Sequence, residues 1–133
     1  MNDVSFYGLA KGTVRGGVSS SRIAVYKICI SSLKCGSDSI LSAFDDAIAD
    51  GVDIITASVS LPSIASFLQD VVAIGSFHAM EKGILTTHAA GNNGPTPSSV
   101  ISVAPWLLSV AASTIDRKFI DKLILGNGKK FMT

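Results

Sequence analysis

The sequence predicts an α/β fold: a partial doubly wound parallel sheet with helices on both faces, truncated at both ends. Three observations carry this. Apolar, β-branched runs of strand length alternate with stretches whose apolar residues recur at helical spacing. Each helical stretch closes on a glycine, Gly51 or Gly83, directly before the next strand-like run. The third such run, residues 84–90, stops abruptly in Gly91-Asn92-Asn93-Gly94-Pro95, at the strand end where open α/β sheets bind their ligands.

Residues 1–21 hold Gly8, Gly12, Gly16 and Gly17 with Lys11 and Arg15 and are expected to be loop. Their glycines do not form the dinucleotide pattern Gly-x-Gly-x-x-Gly and open no helix after a strand. Residues 22–30 are mostly apolar, β-branched and aromatic, as in a strand buried on both faces. Residues 31–36 form a turn. Ser37 is the expected helix cap, with Asp38 in the first turn, and Ile40, Leu41, Phe44, Ala47 and Ile48 form one apolar stripe. Asp45 and Asp46 are adjacent, so they do not share a face as a catalytic pair would, and they are assigned to solvent or local ion pairs.

Residues 52–60 are the second strand, followed by a loop through Pro62. Residues 67–82 are the second helix, with Leu68, Val71, Val72, Gly75 and Ala79 on one stripe and Ile74, Phe77 and Met80 widening it. His78 lies beside the stripe and is assigned to packing. After residues 84–90 comes a fourth strand, 106–112, reached through Pro105. Residues 119–125 and a return strand from Lys129 flank Gly126-Asn127-Gly128, a hairpin. Strand–helix–strand–helix–strand order implies right-handed crossovers. The strand ends near Ser58 and Ala90 then share one sheet edge, with Ser58-Val59-Ser60 and Ala90-Gly91-Asn92 as two walls of a groove. Within that groove, Asn92 and Asn93 are either plain turn residues or amides aimed at a bound group.

Bulk properties narrow the function. The 133 residues suit one domain. With 47% hydrophobic and only 16% charged residues, against a usual charged share of about 25%, the chain looks like the interior of something larger. A net charge of +1 argues against nucleic acid or a membrane surface as partner. The amino-terminal residues show no signal peptide, and residues 54–77, broken by Pro62 and several hydroxyl side chains, do not suit a membrane span. Cys29 and Cys35 are six apart; a local disulfide and two free thiols are both compatible with that spacing. With His78 and His88 they do not match zinc-ligand spacing, so neither metal nor cofactor is expected.

The chain resembles the plant subtilisin-like serine proteases (subtilases, peptidase family S8). The similarity runs in order through residues 5–17, 22–27, 43–53, 73–80, Ala90-Gly91-Asn92-Asn93-Gly94-Pro95, 104–117 and 125–128. This resemblance implies that Asn92 donates its side-chain amide to the oxyanion of the tetrahedral intermediate. It further implies that Ser58, Val59 and Ser60 form a substrate-binding strand for an extended peptide or protein. Ala89, Ala90 and Gly91 would then line the pocket for the side chain before the cleaved bond, and an extracellular location would follow. Subtilases order their triad Asp, His, Ser. The resemblance places the first two motifs before Met1, and the Gly-Thr-Ser-Met-Ser motif after Thr133, beyond an inserted protease-associated domain. His78 and His88 are not at the catalytic position. Ser60 and Leu61 stand where the family often has glycines, which bears on the groove floor. His88 stands where a small or amide residue is more usual, altering the pocket or simply packing.

The resemblance thus makes residues 1–133 part of an endopeptidase catalytic domain that is inactive alone. Two alternatives are a short product that binds extended peptides or a longer relative, and a small-ligand α/β module unrelated to proteolysis.

Overall fold

The computed structural model describes residues 1–31, 34–59, 66–116, 118 and 120–132. Its centre is a three-stranded parallel sheet: β5 (Ile54–Ala57), β6 (Leu85–Ala89) and β7 (Leu107–Val110), in that spatial order. Preceding it are two small hairpins, β1 (Val4–Phe6) with β2 (Leu9–Gly12) and β3 (Cys29–Ser31) with β4 (Lys34–Cys35). Helix α1 (Ser37–Ala49) leads into β5, and α2 (Val71–Glu81) connects β5 to β6. A last hairpin pairs β8 (Lys122–Ile124) with β9 (Lys130–Met132). The fold class is α/β, as the sequence predicts.

Both helices end in the same way. At α1, Gly51 takes φ +69°, its N–H donates to Ile48 and the Val52 N–H to Ala47. At α2, Gly83 takes φ +77°, its N–H donates to Met80 and the Ile84 N–H to Ala79. Each is a Schellman motif, which satisfies the terminal carbonyls and turns the chain straight into the next strand. The positive φ is why glycine stands at both positions.

The helix starts differ from expectation. Gly36, extended at φ −78°, is the cap of α1, and no side chain caps it; Ser37 is already helical. Helix α2 begins at Val71 because the Asp70 carboxylate accepts the Val72 N–H at 3.0 Å, so 67–69 form a turn and not a first helical turn. Ile40, Phe44 and Val72 form the core, with Ile28, Ile55, Val59 and Val71 packed against it. Trp106 closes α2 onto β7: its Nε1–H lies 2.9 Å from the Ala73 carbonyl and 3.1 Å from Ser76 Oγ, with its ring edge-to-face with Phe67 and Phe77.

The sheet has two unlike faces. Ile55, Thr86, His88 and Ala90 turn toward the helices. On the other face Ile54, Leu85, Leu108 and Val110 are between 45% and 58% exposed. Among the described residues both helices cover the first face; the second, for which the sequence also predicts helices, is open.

Two expectations are corrected. Residues 1–21 contain a hairpin, turned at Tyr7 and Gly8 with φ +49° and +86°. Two positive φ values match the turn that suits a two-residue hairpin, but Tyr-Gly lacks the Asn-Gly or Asp-Gly signature by which sequence announces it. Residues 22–28 form no strand. Ile23 and Val25 are more than 80% exposed, and a cleft of about 1110 Å³ separates the segment from β5. Tyr26 is held instead by its hydroxyl, which donates to Asp50 Oδ2 at 2.8 Å. The strand character of Cys29 and Ile30 is satisfied in β3, where Cys29 and Cys35 pair across the hairpin and are joined by a disulfide. That settles the two thiols. The strands 52–60, 84–90 and 106–112 are shorter than predicted, and the hairpin around Gly126-Asn127-Gly128 is present, with Gly128 at φ +82°.

Candidate functional site

The carboxyl ends of β5 and β6 lie side by side, since Ala57 is the register partner of His88. The chain leaves β5 through Ser58 and Val59 and leaves β6 through Ala90, Gly91 and Asn92. The two segments singled out in the sequence are therefore brought together. Ser60 lies outside the described residues.

Backbone groups of neighbouring residues in a strand point to opposite edges. The Ile55 carbonyl faces β6, where Thr87 Oγ1 reaches it at 3.5 Å, and the Val59 carbonyl receives the His88 Nε2–H at 2.9 Å. The main-chain groups of Ile54, Thr56 and Ser58 are accordingly directed to the other edge, which no described strand occupies. The large cleft runs along this edge and reaches Ser58 and Val59.

The other wall is stiffened by ladder bonds carried past β6. The Ala90 N–H donates to the Val110 carbonyl at 2.9 Å, and the Ala90 carbonyl accepts the Ile101 N–H at 3.0 Å. Gly91 has φ +103°, and a Cβ there would stand 3.2 Å from Ile101 Cγ1. The positive φ is what calls for glycine here, and a side chain would also press on Ile101. Asn93 behaves as a turn residue, its carbonyl accepting the Thr96 N–H at 3.3 Å. Asn92 is exposed, and among the described residues nothing holds its side-chain amide. Its two N–H donors are free to meet an acceptor from outside. Ala89, the last residue of β6, and Gly91 are half-buried, and Ala90 is buried.

Both histidines are engaged by neighbouring groups. His78 is exposed and pairs with Glu81 at 3.2 Å along α2. His88 is 4% exposed, with Nδ1 against Ser102 Oγ and Nε2 on the Val59 carbonyl. A serine–histidine contact is one part of a nucleophile–base pair. This one is sealed from substrate, because Ser102 is also 4% exposed, and its third partner is a carbonyl and not a carboxylate. Among the described residues no group of three or more His, Cys, Asp or Glu could hold a metal ion. No described helix is long and apolar enough to cross a membrane.

Sequence reasoning missed Ile101 and Ser102. They belong to the irregular stretch between the Asn-Asn loop and β7, where neither period nor turn chemistry marks a supporting residue. His88 carried a signal, a buried-strand position occupied by a polar ring, without showing what it bonds.

Comparison with known proteins agrees with this frame. The profile described as the subtilase family matches residues 4–121. Subtilisin-like protease SBT4.6 of Arabidopsis thaliana is 61% identical over 127 residues, which are 95% of this chain and 17% of that protein. Subtilisin-like protease SBT4.9 of the same plant is 57% identical over 132 residues, 99% of this chain and 18% of that protein. The chain thus spans less than a fifth of the length of these relatives. It belongs to the subtilase family.

Proposed function

We propose that residues 1–133 form part of the catalytic domain of a subtilisin-like serine endopeptidase. Within it, they supply the substrate groove and one oxyanion donor but not the nucleophile or base. The observation that carries this is the pairing of an unengaged amide, Asn92, at the end of β6 with a free backbone edge at Ser58, at the end of β5. An extended peptide or protein substrate adds to that edge through main-chain hydrogen bonds; Ser58 carries pairing groups, while the Val59 carbonyl faces inward to His88. Ala89, Ala90 and Gly91 line the pocket beside the cleaved bond. There the Asn92 amide donates to the carbonyl oxygen as negative charge develops on it, a preorganised donor that needs no rearrangement during the reaction. No cofactor, metal, nucleic acid or membrane takes part. The Cys29–Cys35 disulfide supports an extracellular or secretory location.

Two measurements test this. The isolated chain should neither hydrolyse peptides nor react covalently with a fluorophosphonate; labelling with turnover would overturn the assignment. In an active subtilase carrying this segment, Asn92→Ala should lower kcat by roughly 10² to 10³ with little change in KM, a magnitude taken over from subtilisin itself. An unchanged kcat would remove Asn92 from the oxyanion site.

A further inference from the structure

We propose that His88 is a positioning residue that sets the distance and register between the two walls of the peptide groove. The proposal rests on the groove reading above and adds a residue to it.

The ring joins three separate segments. Nε2 faces the Val59 carbonyl at 2.9 Å, and a carbonyl only accepts, so this nitrogen carries the proton. In the neutral imidazole, Nδ1 is then an acceptor, and it faces Ser102 Oγ. Ser102 Oγ also lies 2.7 Å from the Ala89 carbonyl. The hydroxyl proton is therefore shared between an acceptor on His88 and one on the strand that ends at Asn92. The result is a chain of polar contacts from Val59, through His88 and Ser102, to Ala89.

Its position separates it from the hydrophobic core. Ile40, Phe44 and Val72 hold the helices on the sheet. His88 instead holds Val59, one residue past the free-edge group at Ser58, and through Ser102 it holds Ala89, three residues before Asn92. Both His88 and Ser102 are 4% exposed, so water does not readily replace a lost partner. An aliphatic residue at 88 leaves the Val59 carbonyl unpaired and frees the end of β5 to move relative to the Asn92 loop. Glutamine can both donate to Val59 and accept from Ser102.

The test compares His88→Leu, His88→Gln and the unchanged 133-residue chain in two assays. Amide hydrogen exchange should accelerate about tenfold at 56–59 and 89–92 in His88→Leu, the size of one lost buried hydrogen bond, while α1 and α2 stay protected. Binding of a fluorescein-labelled extended hexapeptide, followed by anisotropy, should weaken by about the same factor, and His88→Gln should restore both. Unchanged exchange at 56–59 in His88→Leu, or a glutamine variant no better than leucine, overturns the proposal. If the unchanged chain binds no peptide, the groove reading fails, while the exchange data still decide the role of His88. If His88→Leu unfolds throughout, the imidazole ¹⁵N spectrum of the unchanged chain decides: a protected Nε2–H supports the contact to Val59 and a freely exchanging one overturns it.

Discussion

A Cβ atom at Gly75 would stand 2.4 Å from Cδ2 and 2.5 Å from Cγ of Phe44. The two helices thus touch backbone to ring, and the small residue in α2 is what leaves room for the buried Phe44 of α1. Gly75→Ala would gain about 1 kcal/mol of helix propensity but force the ring out of a packed core, at about 1–3 kcal/mol. The contact is with the base of the ring and not with a flexible tip, so the steric cost wins. The expected result is a net loss of up to about 2 kcal/mol in denaturant unfolding, partly relieved by Phe44→Leu in a double-mutant cycle.

Thr86 should show the opposite sign. It is 1% exposed, and among the described residues its Oγ1 has no hydrogen-bond partner. Thr86→Val keeps the branched shape and removes an unpaired hydroxyl, so it should stabilise the chain by about 1 kcal/mol. Chemical denaturation measures this directly, and a destabilised variant would mean that the hydroxyl is satisfied in solution.

Trp106 ties the start of β7 to α2 through one donor shared by the Ala73 carbonyl and Ser76 Oγ. Trp106→Phe keeps an aromatic ring but deletes that donor, leaving buried acceptors without it. A loss of about 1–3 kcal/mol is expected, with a weakened near-ultraviolet circular dichroism signal from the Phe67 and Phe77 contacts.

The Tyr26 phenol is pushed above its ordinary value of 10.0, first by its hydrogen bond to Asp50, then by burial, then by the negative charges of Asp50 and Asp46. Because the folded value is raised, any stability from this contact is present below the unfolded value and is lost as pH rises through the folded one. Spectrophotometric titration should show Asp50→Asn shifting the tyrosine ionisation to lower pH. Identical curves would show that the Tyr26–Asp50 bond does not persist in solution.

Much of the frame is legible in the residues. Gly51 and Gly83 mark both helix ends because a Schellman turn needs positive φ, and that demand is local. The Ile40, Phe44, Ala47 stripe marks the buried face of α1 because helical period and burial coincide. Helix starts are less legible: Ser37 has the right chemistry for a cap, yet the extended backbone lies at Gly36, and Asp70, the fourth residue of the predicted helix 67–82, caps α2. Residues 22–28 have strand composition, but a strand needs a partner, and composition does not say whether one is in reach.

The same division runs through the site. By itself, the sequence determined the α/β class and the placement of Ser58 and Asn92 at neighbouring strand ends, because these follow from local period, turn chemistry and the order of elements; the family was carried by the resemblance of its ordered motifs. Only the tertiary structure decided that the Val59 carbonyl faces inward while Ser58 faces the edge no described strand occupies, that Cys29 and Cys35 are joined, and that His88 meets Val59 and Ser102. Those outcomes depend on which atoms from distant segments come within hydrogen-bond reach, and no local pattern carries that information.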